Sequence, residues 1–306
     1  MFPICIFVYK RADTTRRMMD SLLRCPECAE SELHVFMDAA RNESEVAQVK
    51  QVRDMFDNMQ GFKSVHLYPA LVNKGLASSV IDGVTAVLSK NDSVIVLEDD
   101  LEVSSDFLSF MNEALDAYRG RQDIWSISGY TPVLDGIERY DPNGVFLVPR
   151  AQCWGWATWA DRWNTVDWQV KDFDSLAKDK KRRKAFDMGG DDLFRTLDME
   201  RHNRIESWAV RWAYAASKQG MLTVNPMQSK VQNVGMSSSD SHAGWHDARH
   251  NVTLLGNTTI IDPNVQPDDF LIKAFKKHHD LGFISKVGYF LRRYNLGYGF
   301  LKKLIS

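Results

Sequence analysis

The chain has 306 residues, 44% of them apolar and 25% charged, with a formal net charge of −2, a composition that predicts one large globular α/β domain with a terminal appendage. Charge this close to neutral excludes a global nucleic-acid-binding signature, and no run is long and apolar enough for a membrane-spanning helix. Cys5, Cys25, Cys28 and Cys153 follow no secreted disulfide framework, and the lone Cys-Pro-Glu-Cys pair lacks further zinc ligands, so they read as structural thiols of a reducing compartment.

From the amino terminus, the apolar stretch from Phe2 to Val8 is short and runs at once into Lys10 and Arg11, which predicts a buried first strand instead of a leader or a span. Short apolar runs at residues 4–9, 34–37, 64–68, 94–97 and 124–128 alternate with helical periodicity at 14–24, 43–59, 76–88 and 106–118. That alternation predicts βαβ units and a mostly parallel sheet flanked by helices. Asp13 or Thr14 is the expected cap of the first helix, and Ser104 or Ser105 that of the fourth. After Thr131 the pattern loosens: Pro and Gly punctuate residues 132–149, and tryptophans crowd residues 153–163. The basic run from Lys178 to Lys184 reads as a solvated helix face.

The most informative segment is Val94-Ile95-Val96-Leu97-Glu98-Asp99-Asp100, a buried strand running directly into three carboxylates. In open α/β sheets, ligands bind outside the carboxyl ends of the strands, so these acids are expected at a binding crevice. Their mutual repulsion calls for a counter-charge. A hard divalent cation supplies one, since Mg²⁺ or Mn²⁺ takes one or two carboxylates and fills its shell with diphosphate oxygens and water.

At these residues the chain resembles the GT-A glycosyltransferases of the Golgi N-acetylglucosaminyltransferase I type and the bacterial capsule and O-antigen glycosyltransferases. The strand ending in Tyr9-Lys10-Arg11, the strand ending in Met37-Asp38, and Glu98-Asp99-Asp100-Leu101-Glu102-Val103 followed by Asp106-Phe107 carry the resemblance. It implies the GT-A fold, with residues 1–130 as a nucleotide-sugar-binding half and 131–269 as the acceptor-binding and catalytic half of one domain. Residues 270–306 remain as a basic, aromatic appendage. By the same resemblance, Arg11 and Asp38 contact the nucleoside, Glu98 the transferred sugar and Asp99 the ribose, while Asp100 ligates Mn²⁺ or Mg²⁺. Trp154-Gly155-Trp156 is similar to the acceptor-side segment, Glu206-Ser207-Trp208 to the motif whose first acid is the catalytic base, and Ser241-His242 to a loop over the donor phosphates. Two departures stand out: no His occurs at residues 73–79, and Glu206 replaces an Asp.

The implied activity is a metal-dependent, inverting transfer from a nucleotide-sugar, a UDP-sugar favoured, to a saccharide or lipid-linked saccharide acceptor in bacterial surface polysaccharide synthesis. A sugar nucleotidyltransferase is disfavoured because Tyr9-Lys10-Arg11-Ala12-Asp13 has no glycine; turnover would separate a catalytically silent nucleotide-sugar-binding protein. Asp191 and Asp192 are alternative bases. His242, His246 and His250 do not form a His-Glu-X-X-His pattern and are not expected to ligate metal. The tryptophans fit either a core or a platform for sugar faces. From residue 270 onward, Lys273, Lys276, Lys277, Lys286, Arg292, Arg293, Lys302 and Lys303 oppose Asp280 alone among many aromatics. That composition suits an anionic membrane surface as well as a domain cap. The expected location is cytoplasmic, with a peripheral place on the inner face of the cell membrane if the tail docks.

Overall fold

The computed structural model describes residues 1–235, 251–282 and 287–289. Eight strands form one sheet in the order β3-β2-β1-β4-β8-β6-β9-β7. They are β1 (Ile4–Val8), β2 (Glu32–Met37), β3 (Ser64–Pro69), β4 (Ser93–Glu98), β6 (Ile124–Ser128), β7 (Val145–Val148), β8 (Trp156–Trp159) and β9 (Leu222–Pro226). A separate ribbon pairs β5 (Leu101–Val103) with β10 (Val231–Asn233). The pairings β3-β2, β2-β1, β1-β4 and β6-β9 are parallel, and those of β8 and β7 are antiparallel. The expected α/β architecture, a mostly parallel sheet flanked by helices, is present.

Helices follow the apolar spacing of the chain. In α1 (Ala12–Leu22), buried Ala12, Thr15, Met18, Met19 and Leu22 form one stripe. It starts earlier than the periodicity suggests, with Arg11 at the cap position, and the Thr14 and Thr15 hydroxyls donate to the Arg11 carbonyl instead of capping. The α2 segment (Val46–Asp54) is shorter than its apolar pattern: Asn42 caps a preceding 3₁₀ turn, and Asn58 adopts φ +62° beyond its end. By contrast α3 (Leu76–Leu88) spans the expected residues, and α4 (Phe107–Tyr118) begins after Asp106, whose carboxylate accepts from the Ser104 hydroxyl at 2.6 Å.

The second half of the chain is more regular than its Pro and Gly suggest. Strand β8 inserts between β4 and β6, so both halves share one sheet. Around it lie α5 (Ala160–Trp163), α6 (Phe173–Lys178), α7 (Lys180–Phe186), α8 (Leu193–Arg201) and α9 (Trp208–Gln219). One face of the sheet packs on α1 and α4, and the other on α3 and α9. On the second face, Trp125, Trp156, Trp163 and Trp212 are essentially unexposed, with Trp125 and Trp212 centroids 4.4 Å apart. Each indole removes roughly 150–250 Å² from water, so the cluster dominates that layer.

The start of the expected appendage is part of the domain. In α10 (Asp269–His279), Leu271 and Phe275 bury themselves against Phe146 and Val148 of β7, and Asp268 caps the helix through the Phe270 and Leu271 amides. The Tyr289 hydroxyl donates to the buried Asp198 carboxylate at 2.8 Å. Of the eight basic residues on which the membrane expectation rests, Lys286, Arg292, Arg293, Lys302 and Lys303 lie outside the described residues, as do Ser241, His242, His246 and His250. Among the described residues, no helix is long and apolar enough to cross a membrane.

Candidate active site

Strands β1, β2 and β3 run outward to one side while β4 returns to the other side of β1. The chain therefore reverses its winding between β1 and β4, and such a switch point opens a crevice at the carboxyl ends of the strands. A cleft of about 200 Å³ occupies this place, lined among others by Tyr9, Arg11, Asp38, Gly75, Glu98 and Asp99. Residues far apart in sequence meet here because most of them lie at, or a few positions beyond, the carboxyl end of a strand.

Arg11 is the principal counter-charge. Its Nη2 donates to Asp99 Oδ1 at 2.5 Å and to Asp100 Oδ2 at 3.1 Å, and Tyr9 N donates to Asp99 Oδ2 at 3.2 Å. Burial, then the charges of Asp100 and Asp99, push the Glu98 carboxyl up to about 8. Burial likewise pushes Asp99 up to about 6, with Arg11 pulling the other way. Against burial, Asp99 and Asp100 hold the Arg11 guanidinium above its ordinary value. Arg11 is shared between Asp99 and Asp100, and the Asp100 oxygens suit a hard divalent ion. The segment after β10 closes over them: Val234 N donates to the Asp100 carbonyl at 2.8 Å, and a Cβ on Gly235 would lie 2.5 Å from Asp100 Oδ2. Only a residue without a side chain fits so close to this carboxylate.

Asp38 lines the cleft, but its oxygens are engaged. Oδ1 accepts from Ala39 N at 2.8 Å and Lys74 N at 2.9 Å, and Oδ2 from Gly75 N and the Asn73 amide, both at 3.0 Å. The carboxylate thus clamps residues 73–75 onto the end of β2. Gly75, at φ +76°, carries the loop on into α3, and a Cβ there would sit 3.4 Å from Glu206 Oε1. Glu206 accordingly stands at the rim of the cleft. Its position follows from Ser207, which caps α9 by accepting from Val210 N, and from the buried Trp208.

Beside the cleft is a second cavity of about 210 Å³ whose lining includes Tyr130, Arg150, Cys153, Trp154, Asp192 and Ser207. Half-buried Trp154 meets Tyr130 edge-on, with centroids 4.6 Å apart. Burial, followed by the nearby Glu98 charge, pushes the Cys153 thiol up to about 12, which ties this cavity to the acidic motif. Trp156, by contrast, is fully buried and stacks on Trp163. It is a core residue with no face open to an acceptor, because β8 alternates its side chains and sends this one toward α9. Gly155 is also buried, at φ +56°, and its carbonyl accepts from Gly129 N at 2.6 Å. Of the acceptor-side expectations, only Trp154 reaches a cavity.

The alternative bases are engaged by other groups, although Asp192 lines the second cavity. Asp192 makes a two-pronged ion pair with Arg150 at 2.8 and 2.9 Å, and Asp191 Oδ1 accepts from Leu281 N at 2.7 Å. Sequence reasoning overlooked Lys10, Arg41 and Glu45 at the cleft mouth. Glu45 accepts from Lys10 Nζ at 2.8 Å, from Arg41 N at 3.0 Å and from the Tyr9 hydroxyl. It also overlooked the close approach of Gly75 to Glu206; the Asn73-Lys74-Gly75 turn was the available signal. Among the described residues, a three-residue group with metal-ligand chemistry lies at the other ends of the strands: Glu32, His34 and His66.

No protein-family model matches the chain, and no curated protein matches it. Solved structures of S. aureus TarS are similar at low level. Residues 1–349 of TarS match at 10% identity and TM-score 0.43, over 77% of this chain and 61% of that one. The same fragment in complex with UDP-GlcNAc matches at 14% identity and TM-score 0.31, over 42% and 34%. A further TarS structure matches at 12% and 0.32, over 57% and 30%. The chain thus covers less than two thirds of the length of these structures. Likeness of this degree assigns no activity, and the chemistry is read from the chain's own residues.

Proposed function

We propose that the protein is a glycosyltransferase that moves a sugar from a nucleoside diphosphate sugar, a UDP-sugar favoured, onto a saccharide hydroxyl with inversion at the anomeric carbon. The observation that carries this reading is the convergence of Arg11, Glu98, Asp99 and Asp100 at the switch-point cleft, with the Glu206 carboxylate at its rim beside Gly75. The resemblance of these same segments to GT-A glycosyltransferases agrees with it.

In this reading the donor lies in the cleft and the acceptor enters from the cavity of Trp154, whose indole offers a flat apolar face to a sugar ring. Asp100 would hold Mn²⁺ or Mg²⁺, which supplies neutralising charge for a departing diphosphate. Glu98 would meet the hydroxyls of the transferred sugar and Asp99 those of the ribose. Asp38 acts on the nucleoside side by holding the 73–75 loop. Glu206 accepts the acceptor proton as the acceptor oxygen bonds to the anomeric carbon. The bond from that carbon to the diphosphate oxygen breaks in the same displacement, and the nucleoside diphosphate leaves. The acceptor, free or lipid-linked, belongs to bacterial surface polysaccharide synthesis.

Incubating the purified chain with UDP-sugars, Mn²⁺ and saccharide acceptors tests the reading. Glu206→Gln should lower kcat by about 10²–10⁴-fold while leaving donor affinity intact. Parental turnover in that variant would remove Glu206 as the base, and a product of retained configuration would reject the single displacement.

A further inference from the structure

The basic run from Lys178 to Lys184 does not simply face solvent. Helix α7 turns part of it toward α8 and α10, where Lys180, Arg183, Lys184, Arg195, Lys276 and Tyr289 line a groove of about 570 Å³. Among the described residues, Asp187 is the only carboxylate in that lining. Lys276 is partly neutralised by Asp280 at 2.5 Å. Packing on aromatic rings holds the two guanidinium groups: Arg183 lies over Phe194 at 5.2 Å and Arg195 over Tyr289 at 5.4 Å. Arg183 Nε and Arg195 Nη1 are buried and find no hydrogen-bond acceptor among the described residues. Desolvated guanidinium N–H groups without acceptors are costly, and gathering five cations adds repulsion. A multi-oxygen anion relieves both at once.

We infer that this groove binds a phosphate-bearing group, a phosphomonoester or a diphosphate, at a site distinct from the donor cleft. Guanidinium forks match phosphate oxygens two at a time, and the flanking lysines add point charges. The groove is also coupled to the cavity beside the cleft. Along α8, Leu193 and Thr196 face that cavity while Phe194 and Arg195 face the groove; along α10, His279 and Lys276 divide in the same way. A bound phosphate therefore sits one helix away from the Trp154 cavity. The inference does not depend on the transferase reading, since it concerns anion binding alone.

Calorimetric titration of the full chain with inorganic pyrophosphate, in chelator and low salt, is the test. Saturable binding is expected, weakened about tenfold or more by Arg183→Gln with Arg195→Gln and retained by Arg11→Gln in the donor cleft. Far-UV circular dichroism checks folding; if the double variant is unfolded, the exposed pair Lys180→Gln with Lys184→Gln should weaken binding by about threefold or more. No binding by the parent, parental affinity in folded groove variants, or loss on Arg11→Gln would overturn the assignment. Co-sedimentation with phosphatidylcholine vesicles, with and without phosphatidic acid, separates the sources. Pyrophosphate-competed binding to the anionic vesicles, lost in the groove variants, identifies a lipid headgroup. Pyrophosphate binding without vesicle binding identifies a soluble phosphate compound.

Discussion

Replacing Asp38 by Asn tests whether this residue is chiefly a clamp. The native carboxylate accepts four hydrogen bonds, two at each oxygen, from Ala39 N, Lys74 N, Gly75 N and the Asn73 amide. In Asn one oxygen becomes an NH₂ group. Whichever way the amide faces, its nitrogen meets two N–H donors, so two bonds are lost and the other two lose their charge assistance. At about 1.5–3 kcal/mol for a hydrogen bond to a charged group, and with water replacing part of the loss, the variant should be about 2–4 kcal/mol less stable. For a chain of 306 residues that corresponds to a fall in Tm of about 3–6 °C. Releasing the loop also loosens Gly75 from Glu206, so donor affinity and turnover should fall together. Urea unfolding and differential scanning calorimetry measure the first effect, and donor titration the second. Parental stability combined with lost donor affinity would refute the clamp and make Asp38 a direct ligand contact.

Asp100→Asn, or excess chelator, should abolish sugar transfer, and full activity in chelator would reject a metal role for Asp100. Trp156→Ala should destabilise the fold by about 3–5 kcal/mol, whereas Trp154→Ala should raise the acceptor KM with a much smaller shift in the urea midpoint; equal stability losses would contradict their separation into core and cavity. Hydrogen bonds from Lys10, Tyr9 and Arg41 N hold the Glu45 carboxyl down at about 2, below its ordinary 4.5. Its folded-state value is depressed, so its stabilisation is present above the ordinary value and lost as pH falls from about 4.5 to about 2. Acid titrations should therefore show a shallower loss of stability over that window for Glu45→Gln than for the parent, and parallel curves would contradict the cluster.

What the sequence by itself determined is local. The aliphatic run before Glu98-Asp99-Asp100 announces a buried strand delivering carboxylates to its own carboxyl end, and the apolar spacing of α3 and α4 sets their bounds closely, because a strand or a helix depends on residues within a few positions of one another. The limits of α2 were less legible, since Asn42 and the left-handed Asn58 cut short a pattern that apolar spacing alone would extend. Tertiary structure decided the rest. Only the insertion of β8 between β4 and β6 separates Trp156, in the core, from Trp154, in a cavity. Gly75 meets Glu206, and the Lys178 to Lys184 run meets Arg195 and Lys276, through packing of elements distant in the chain. Contacts of that kind depend on which faces two elements bury against each other, and no single segment's composition encodes that choice.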